Sequence, residues 1–195
     1  MDRDEVWRTI DEQRSELADL METFTDEDWE TPSLCAGWRV RDVAAHLTLA
    51  QMGLLPACVN AVRARLSFDR MIHDTALRQA RRPVEDYPVL LRAMVGSRRK
   101  APVVSDIEPL TDQLVHGQDM VRVLGRQRSM PAEAAATAAQ RVWSTGFPFH
   151  AAKRLRGYEL VATDHAWRAG EGRTVEAPIA DLLLLVTGRD VVDLS

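Results

Sequence analysis

The chain is poor in cysteine: two in 195 residues, Cys35 and Cys58, with no Cys-x-x-Cys pair. Two widely spaced thiols make neither a disulfide scaffold nor a cysteine-rich zinc knuckle, and a reducing cytoplasm is the simple expectation. An apolar leader is missing, because the N-terminal MDRDEVWRTIDEQ is charged throughout. Long hydrophobic runs are missing too. Stretches such as LLLLV at 182–186 fall far short of the roughly 20 residues that span a bilayer. There is no basic excess, with 25 Lys and Arg against 29 Asp and Glu. The basic residues are scattered, so neither nucleic acid nor a membrane is an expected partner. The one dense basic run, Arg98-Arg99-Lys100 beside Pro102, reads as a solvated loop. No GxGxxG or P-loop pattern supports nucleotide binding, and no nucleophile elbow surrounds Ser33 or Ser144.

What is present is a composition ordinary for a globular protein, 46% hydrophobic and 28% charged. Residues 3–24 carry Val6, Ile10, Leu17, Leu20, Met21 and Phe24 at helical spacing. The segment TFTDEDWETPS breaks that helix, and Trp29 and Trp38 flank an irregular connection marked by Pro32 and Gly37. A second helix starts near Val40 and carries Val43, His46, Leu47 and Ala50 on one stripe. Pro56 ends or kinks it, with ACVNAVRARL as a continuation, and 67–83 is too weakly periodic to assign. VEDYPVLLRAMVGSRRK gives a shorter third helix closed by Gly96. SDIEPLTDQLVHGQDMVRVLGR gives a fourth, with Leu110, Leu114, Val121 and Leu124 on its apolar face and Gly125 as its stop. MPAEAAATAAQRVWSTG adds a fifth, with Pro131 at an early helical position. Beyond residue 153 the pattern changes. GYELVATD and AWRAGEGRTVEAP have strand character around a Gly-Glu-Gly turn, and IADLLLLVTGR reads as a terminal helix stopped by Gly188. The expected organisation is a helical bundle over 1–152 and a small β-β-α segment over 153–195 packed on it, since that segment is too small to hold its own core.

The fourth helix places Asp112, His116 and Asp119 at i, i+4 and i+7, on one face. Ionisable groups on a mostly apolar helix are costly to bury unless paired or metal-bound. His46 makes the same demand on the second helix. If the two faces meet, His46, Asp112 and His116 supply two imidazoles and one carboxylate, a ligand set that leaves a metal position open. Asp119 then fixes the tautomer of a ligand imidazole. A His–Asp hydrogen-bond network tying two helices together fits the same spacing. His73, His150 and His165 read as exposed or locally satisfied.

Three separated segments carry a resemblance. WETPSLCAGWRVRDVAAHL at 29–47, PLTDQLVHGQDMVRVLGR at 109–126 and ELVATDHAWRAGEG with APIADLLLLVTGR after it resemble, in order, the DinB-like superfamily and most closely its mycothiol-dependent maleylpyruvate isomerase branch. The resemblance implies a mainly α fold, a DinB-like four-helix bundle with a small β-β-α appendage. It also implies a divalent metal, zinc in most of the family, held by His, an acidic residue and His. These roles fall on His46, Asp112 and His116, and the Asp after the second His falls on Asp119. The branch uses Glu as the acidic ligand; Asp112 is one methylene shorter, so the helices approach more closely or a water bridges. Larger isomerases of the family carry a longer C-terminal domain that helps bind substrate.

The implied activity is that of a metal-dependent enzyme using mycothiol or a similar low-molecular-weight thiol on a small electrophilic substrate, as isomerase or S-transferase. Arg82, Arg98, Arg99 and Arg154 are candidate partners for anionic groups, and Cys35 stands close before the second helix. Two rivals remain open: a hydrolase in which a metal activates water, and a metal-binding or stress-response bundle without catalysis, with homodimerisation left open. They differ in the coordination shell, because a structural zinc is closed by four protein ligands and a catalytic one is not. Asp119 and Cys35 are the residues placed to close it.

Overall fold

The structure, a computed structural model, describes residues 1–51, 68–100 and 104–194. The expected continuation ACVNAVRARL, together with Cys58 and Pro102, lies outside the described residues. The chain is mainly α, with a small three-stranded sheet near its C-terminal end. It divides into two compact units, Trp7–Arg128 and a second made of Met1–Val6 with Ser129–Ser195.

In the first unit, helix α1 (Arg3–Met21) contributes from Trp7 onward and buries Trp7, Ile10, Leu17, Ala18 and Met21. Arg14 shares that buried face, with no exposed side-chain surface. Its Nη1 donates to the Met94 carbonyl at 2.8 Å, and Asp11 lies 3.3 Å away. Burial lowers its pKa from the usual value. The segment expected only to break α1 forms a further short helix, α2 (Asp26–Glu30). The cause is local: Thr25 Oγ1 accepts from Asp28 N–H and Asp28 Oδ2 accepts from Thr25 N–H, a reciprocal cap. Arg126 reinforces it by donating to Asp28 at 2.7 Å. Trp29 then packs edge-on against Phe24, with ring centres 5.1 Å apart.

Helix α3 (Val40–Leu47) is the centre of this unit and contacts α2, α4 (Phe68–Gln79), α5 (Asp86–Arg92) and α6 (Ile107–Val121). Val40, Val43, Ala44, Ala45 and Leu47 are buried in the main core. Helix α4 fills the stretch that periodicity left unassigned. Among its described side chains the packing surface is mixed, with Thr75 and Ala76 buried, Ile72 packed against the core and Ala80 just beyond its end, which gives a weak sequence signal. The third expected helix is shorter than its segment. Helix α5 ends at Arg92, and turns carry the chain to Gly96 at φ +78°. Helix α6 buries Leu110, Leu114 and Val121 as expected, and turns after Val121 lead to Gly125. Gly117 within α6 has a packing reason. A Cβ there would stand 2.2 Å from Arg128 Nη1, and Arg128 is so buried that desolvation pulls its pKa down to about 10.

In the second unit, helix α7 (Ala132–Thr145) buries Ala134, Ala135, Ala138 and Ala139 and packs on α9 (Ile179–Val186). Pro131 caps α7 from just outside rather than sitting within it. A short helix α8 (Ala151–Arg154) leads to β1 (Gly157–Ala162). The second strand segment splits at the Gly-Glu-Gly turn into β2 (Arg168–Gly170) and β3 (Gly172–Ala177), so three strands stand where two were expected. The order is β2-β1-β3, with β2 antiparallel and β3 parallel to β1. Glu171 alone joins β2 to β3, so the chain crosses the start of β1 within one residue. Glycine is required there: a Cβ on Gly172 (φ +128°) would lie 2.2 Å from the Gly157 carbonyl oxygen, and one on Gly170 would lie 2.3 Å from that of Tyr158. The compact units divide at 128/129, with the alanine face of α7 packed on α9 inside the second unit and residue 153 inside α8.

Candidate metal centre

The site is built wholly within Trp7–Arg128. Two local devices fix where α3 starts. Asp42, only 2% exposed, accepts from Arg39 N–H at 2.9 Å and from the Arg39 guanidinium at 3.0 and 3.1 Å. That pairing raises the Arg39 pKa above its ordinary value. The preceding loop folds back on itself. Ser33 N–H donates to the Trp38 carbonyl, Val40 N–H to the Thr31 carbonyl, and Trp38 N–H to the Cys35 carbonyl, with Gly37 in the left-handed region at φ +80°. The start of α3 sets its rotation, and hence the direction of His46, the penultimate residue of the helix.

His46 from α3 meets Asp112 and His116 from α6. One donor atom from each of the three lies within 4.8 Å of the others, and all three residues are half-buried. The two imidazole rings are 4.9 Å apart and nearly perpendicular. Asp119, with no exposed surface, sits 2.8 Å from His116 Nδ1. A carboxylate there accepts the Nδ1–H, which leaves the Nε2 lone pair of His116 available to a metal. The structure therefore brings together all four residues singled out from the sequence.

Cys35 also reaches the site. Leu34 N–H donates 3.1 Å to the main-chain carbonyl of Asp119, which ties the loop to α6. The Cys35 sulfur then lies within 4.8 Å of donor atoms of His116 and Asp119. Among the described residues the donors form two groups of three that share His116: His46, Asp112, His116 and Cys35, His116, Asp119.

The sequence placed Trp38 only beside an irregular connection. In the structure it is also the site's wall. Its ring stacks over His116 with centres 6.2 Å apart, tilts against His46 at 5.3 Å, and donates its Nε1–H to His73 Nδ1 at 2.8 Å. His73, on the solvent side of α4, is thereby joined to the site through Trp38. No local signal links positions 38 and 73, because α4 itself was not legible. The other imidazoles lie in the second unit. His165 bonds Glu133 at 3.1 Å, and His150 contacts the Phe147 ring.

Arg82 donates to Gln79 at 3.3 Å, and Arg154 donates to the carbonyls of Phe149 and Leu185 within the second unit. Arg98 and Arg99 are exposed, and Lys100 pairs with Asp106 at 2.9 Å. Among the described residues, no helix is long and apolar enough to cross a membrane.

Residues 10–103 match the family described as the mycothiol maleylpyruvate isomerase N-terminal domain. That span contains His46 and ends before Asp112. No curated protein matches the sequence. Among solved structures, the crystal structure of the mycothiol-dependent maleylpyruvate isomerase matches with a TM-score of 0.64 at 11% identity, over 98% of this chain and 92% of that one. At that identity the likeness is one of fold. The match runs nearly the full length of that isomerase.

Proposed function

We propose, from the match of residues 10–103 to the mycothiol maleylpyruvate isomerase N-terminal domain, that this chain is a metal-dependent enzyme that uses a low-molecular-weight thiol, mycothiol by that likeness, to isomerise a small electrophilic substrate. Retention of the thiol on the product makes the same centre an S-transferase. The observation that supports a metal most directly is the convergence of His46, Asp112 and His116 within 4.8 Å. Two imidazoles and a carboxylate are borderline ligands suited to zinc, and three protein ligands leave a position for a small molecule. A divalent cation held there supplies positive charge that favours the thiolate over the thiol at neutral pH.

The chain's own residues have separable tasks. His46 and Asp112 bind from opposite helices, and His116 binds through Nε2. Asp119 holds the His116 ring in its tautomer and orientation through Nδ1. Trp38 covers one face of both imidazoles and limits access of water to them. Three protein donors, rather than four, favour an enzyme over a closed structural site.

Metal analysis by mass spectrometry, paired with a calorimetric thiol titration, tests this reading. About one divalent ion per chain is expected, lost in His46→Ala together with thiol binding. Protein that carries no metal after supplementation, with His46→Ala leaving thiol binding unchanged, would overturn it. Turnover of an electrophile that is indifferent to added thiol would point instead to activated water.

A further inference from the structure

The second donor group joins Cys35, which the proposed reaction does not use, to His116 and Asp119. Its three donor atoms are one thiol sulfur, one imidazole nitrogen and one carboxylate oxygen, mutually within 4.8 Å. Donors on one zinc ion, at about 2.0–2.3 Å from it, stand no more than roughly 4.5 Å apart, so side-chain rotation alone closes the set. The backbone that carries the thiol is held by hydrogen bonds. Cys35 N–H donates to Ser33 Oγ at 3.1 Å, its carbonyl accepts from Trp38 N–H at 3.0 Å, and the neighbouring Leu34 N–H holds the Asp119 carbonyl. Among the described residues Cys35 is in no disulfide. A sulfur donor also changes the selectivity of the set, because thiolates favour thiophilic ions such as zinc, cobalt and cadmium over magnesium or calcium.

We infer that Cys35, His116 and Asp119 form a second site, for a thiophilic divalent cation, sharing its imidazole with the first. The inference rests on the reading of His46, Asp112 and His116 as the primary site only for the order of loading, not for its existence. Loading releases two protons to solvent, one from the Cys35 thiol and one from His116 Nδ1, whose place the ion takes between the ring and Asp119.

Cobalt(II) titration of the full chain reads both sites at once. Visible ligand-field bands report cobalt in a tetrahedral site, and a near-ultraviolet thiolate-to-cobalt band reports sulfur ligation alone. In wild type, the first equivalent is expected to give ligand-field bands without the thiolate band, and the second to bring it in. Cys35→Ser is expected to keep the first equivalent and lose the second with its thiolate band, whereas Cys58→Ser keeps both. His46→Ala should lose the first equivalent and retain the thiolate band. No thiolate band at any ratio overturns the inference. So does a thiolate band that survives Cys35→Ser, or one that arrives with the first equivalent. A thiolate band that depends on Cys35 without any His46-dependent equivalent would instead overturn the primary-site reading and leave this one standing.

Discussion

Replacing Asp119 tests how the site works without touching any residue assigned to the primary metal. Its carboxylate is fully buried and accepts the His116 Nδ1–H at 2.8 Å. Asp119→Asn preserves shape and one oxygen acceptor, so the tautomer survives while the negative charge on the imidazole is lost. Asp119→Ala removes both and leaves the ring free to rotate. Partners of this kind are worth about 10- to 100-fold in metal affinity. The Asn variant should fall near the lower end, about 1.4 kcal/mol, and the Ala variant near the upper end, about 2.7 kcal/mol. The main-chain bond from Leu34 N–H to the Asp119 carbonyl is retained in both.

The assay is competition for zinc against a chromophoric chelator, with circular dichroism and a thermal melt of the metal-free protein as controls. An ordered series, wild type tighter than Asn and Asn tighter than Ala, with all three folded, is the expected result. Folded Asn and Ala variants that bind zinc within about twofold of wild type, against the 10-fold minimum, would refute the argument. His116 would then not bind through Nε2, and its contact with Asp119 would be a helix-stabilising pair.

Other consequences follow from the frame around the site. Arg14→Ala leaves the Met94 carbonyl without its buried donor and opens a cavity, so denaturant unfolding should show a loss of about 3 kcal/mol; a loss below about 1 kcal/mol, typical of a surface pair, contradicts the packing described. Gly172→Ala should destabilise far more than Gly125→Ala. Both have positive φ, but only the former drives a Cβ into backbone, whereas nothing lies within 4 Å of the latter. At Gly125 the cost is about 1 kcal/mol, and equal melting temperatures for the two variants would contradict the crossover. Asp28 has its pKa lowered, first by the Thr25 backbone N–H and also by Arg126. A depressed carboxyl stabilises the fold above its unfolded pKa, and that contribution disappears as pH falls through the folded value. The acid limb of the stability–pH curve should therefore be shallower in Asp28→Asn, and identical limbs would remove the cap from the account.

How much of this was legible depends on the range of the interaction. Asp112, His116 and Asp119 fall on one helix face by periodicity alone, and the start of α3 is local chemistry between Arg39 and Asp42, three residues apart. Both could be read from the chain. The short helix α2 was also written locally, in Thr25 and Asp28, but its cap sits inside a segment dominated by Pro32 and Gly37 and read as a break. Helix α4 was not legible, because among the described residues its buried positions are Thr75 and Ala76, with only Ile72 as a larger apolar contact, a pattern that hardly differs from an exposed one in hydrophobicity. The alanines of α7 likewise do not announce that they pack on α9.

Contacts across distant segments left no sequence trace, yet they decide the chemistry. Trp38 touches His46, His116 and His73, which come from three different helices, and Leu34 holds the Asp119 carbonyl. Both belong to the loop before α3. That loop therefore does more than end one helix and begin another. By bonding to α6 at Leu34 and setting the start of α3 at Arg39, it locks the two ligand-bearing helices to a common reference within six residues of chain. A small displacement of the loop moves His46 through the rotation of α3 and moves Cys35 relative to His116 at the same time. The two donor groups are thus coupled mechanically through Leu34–Arg39 as well as chemically through their shared imidazole.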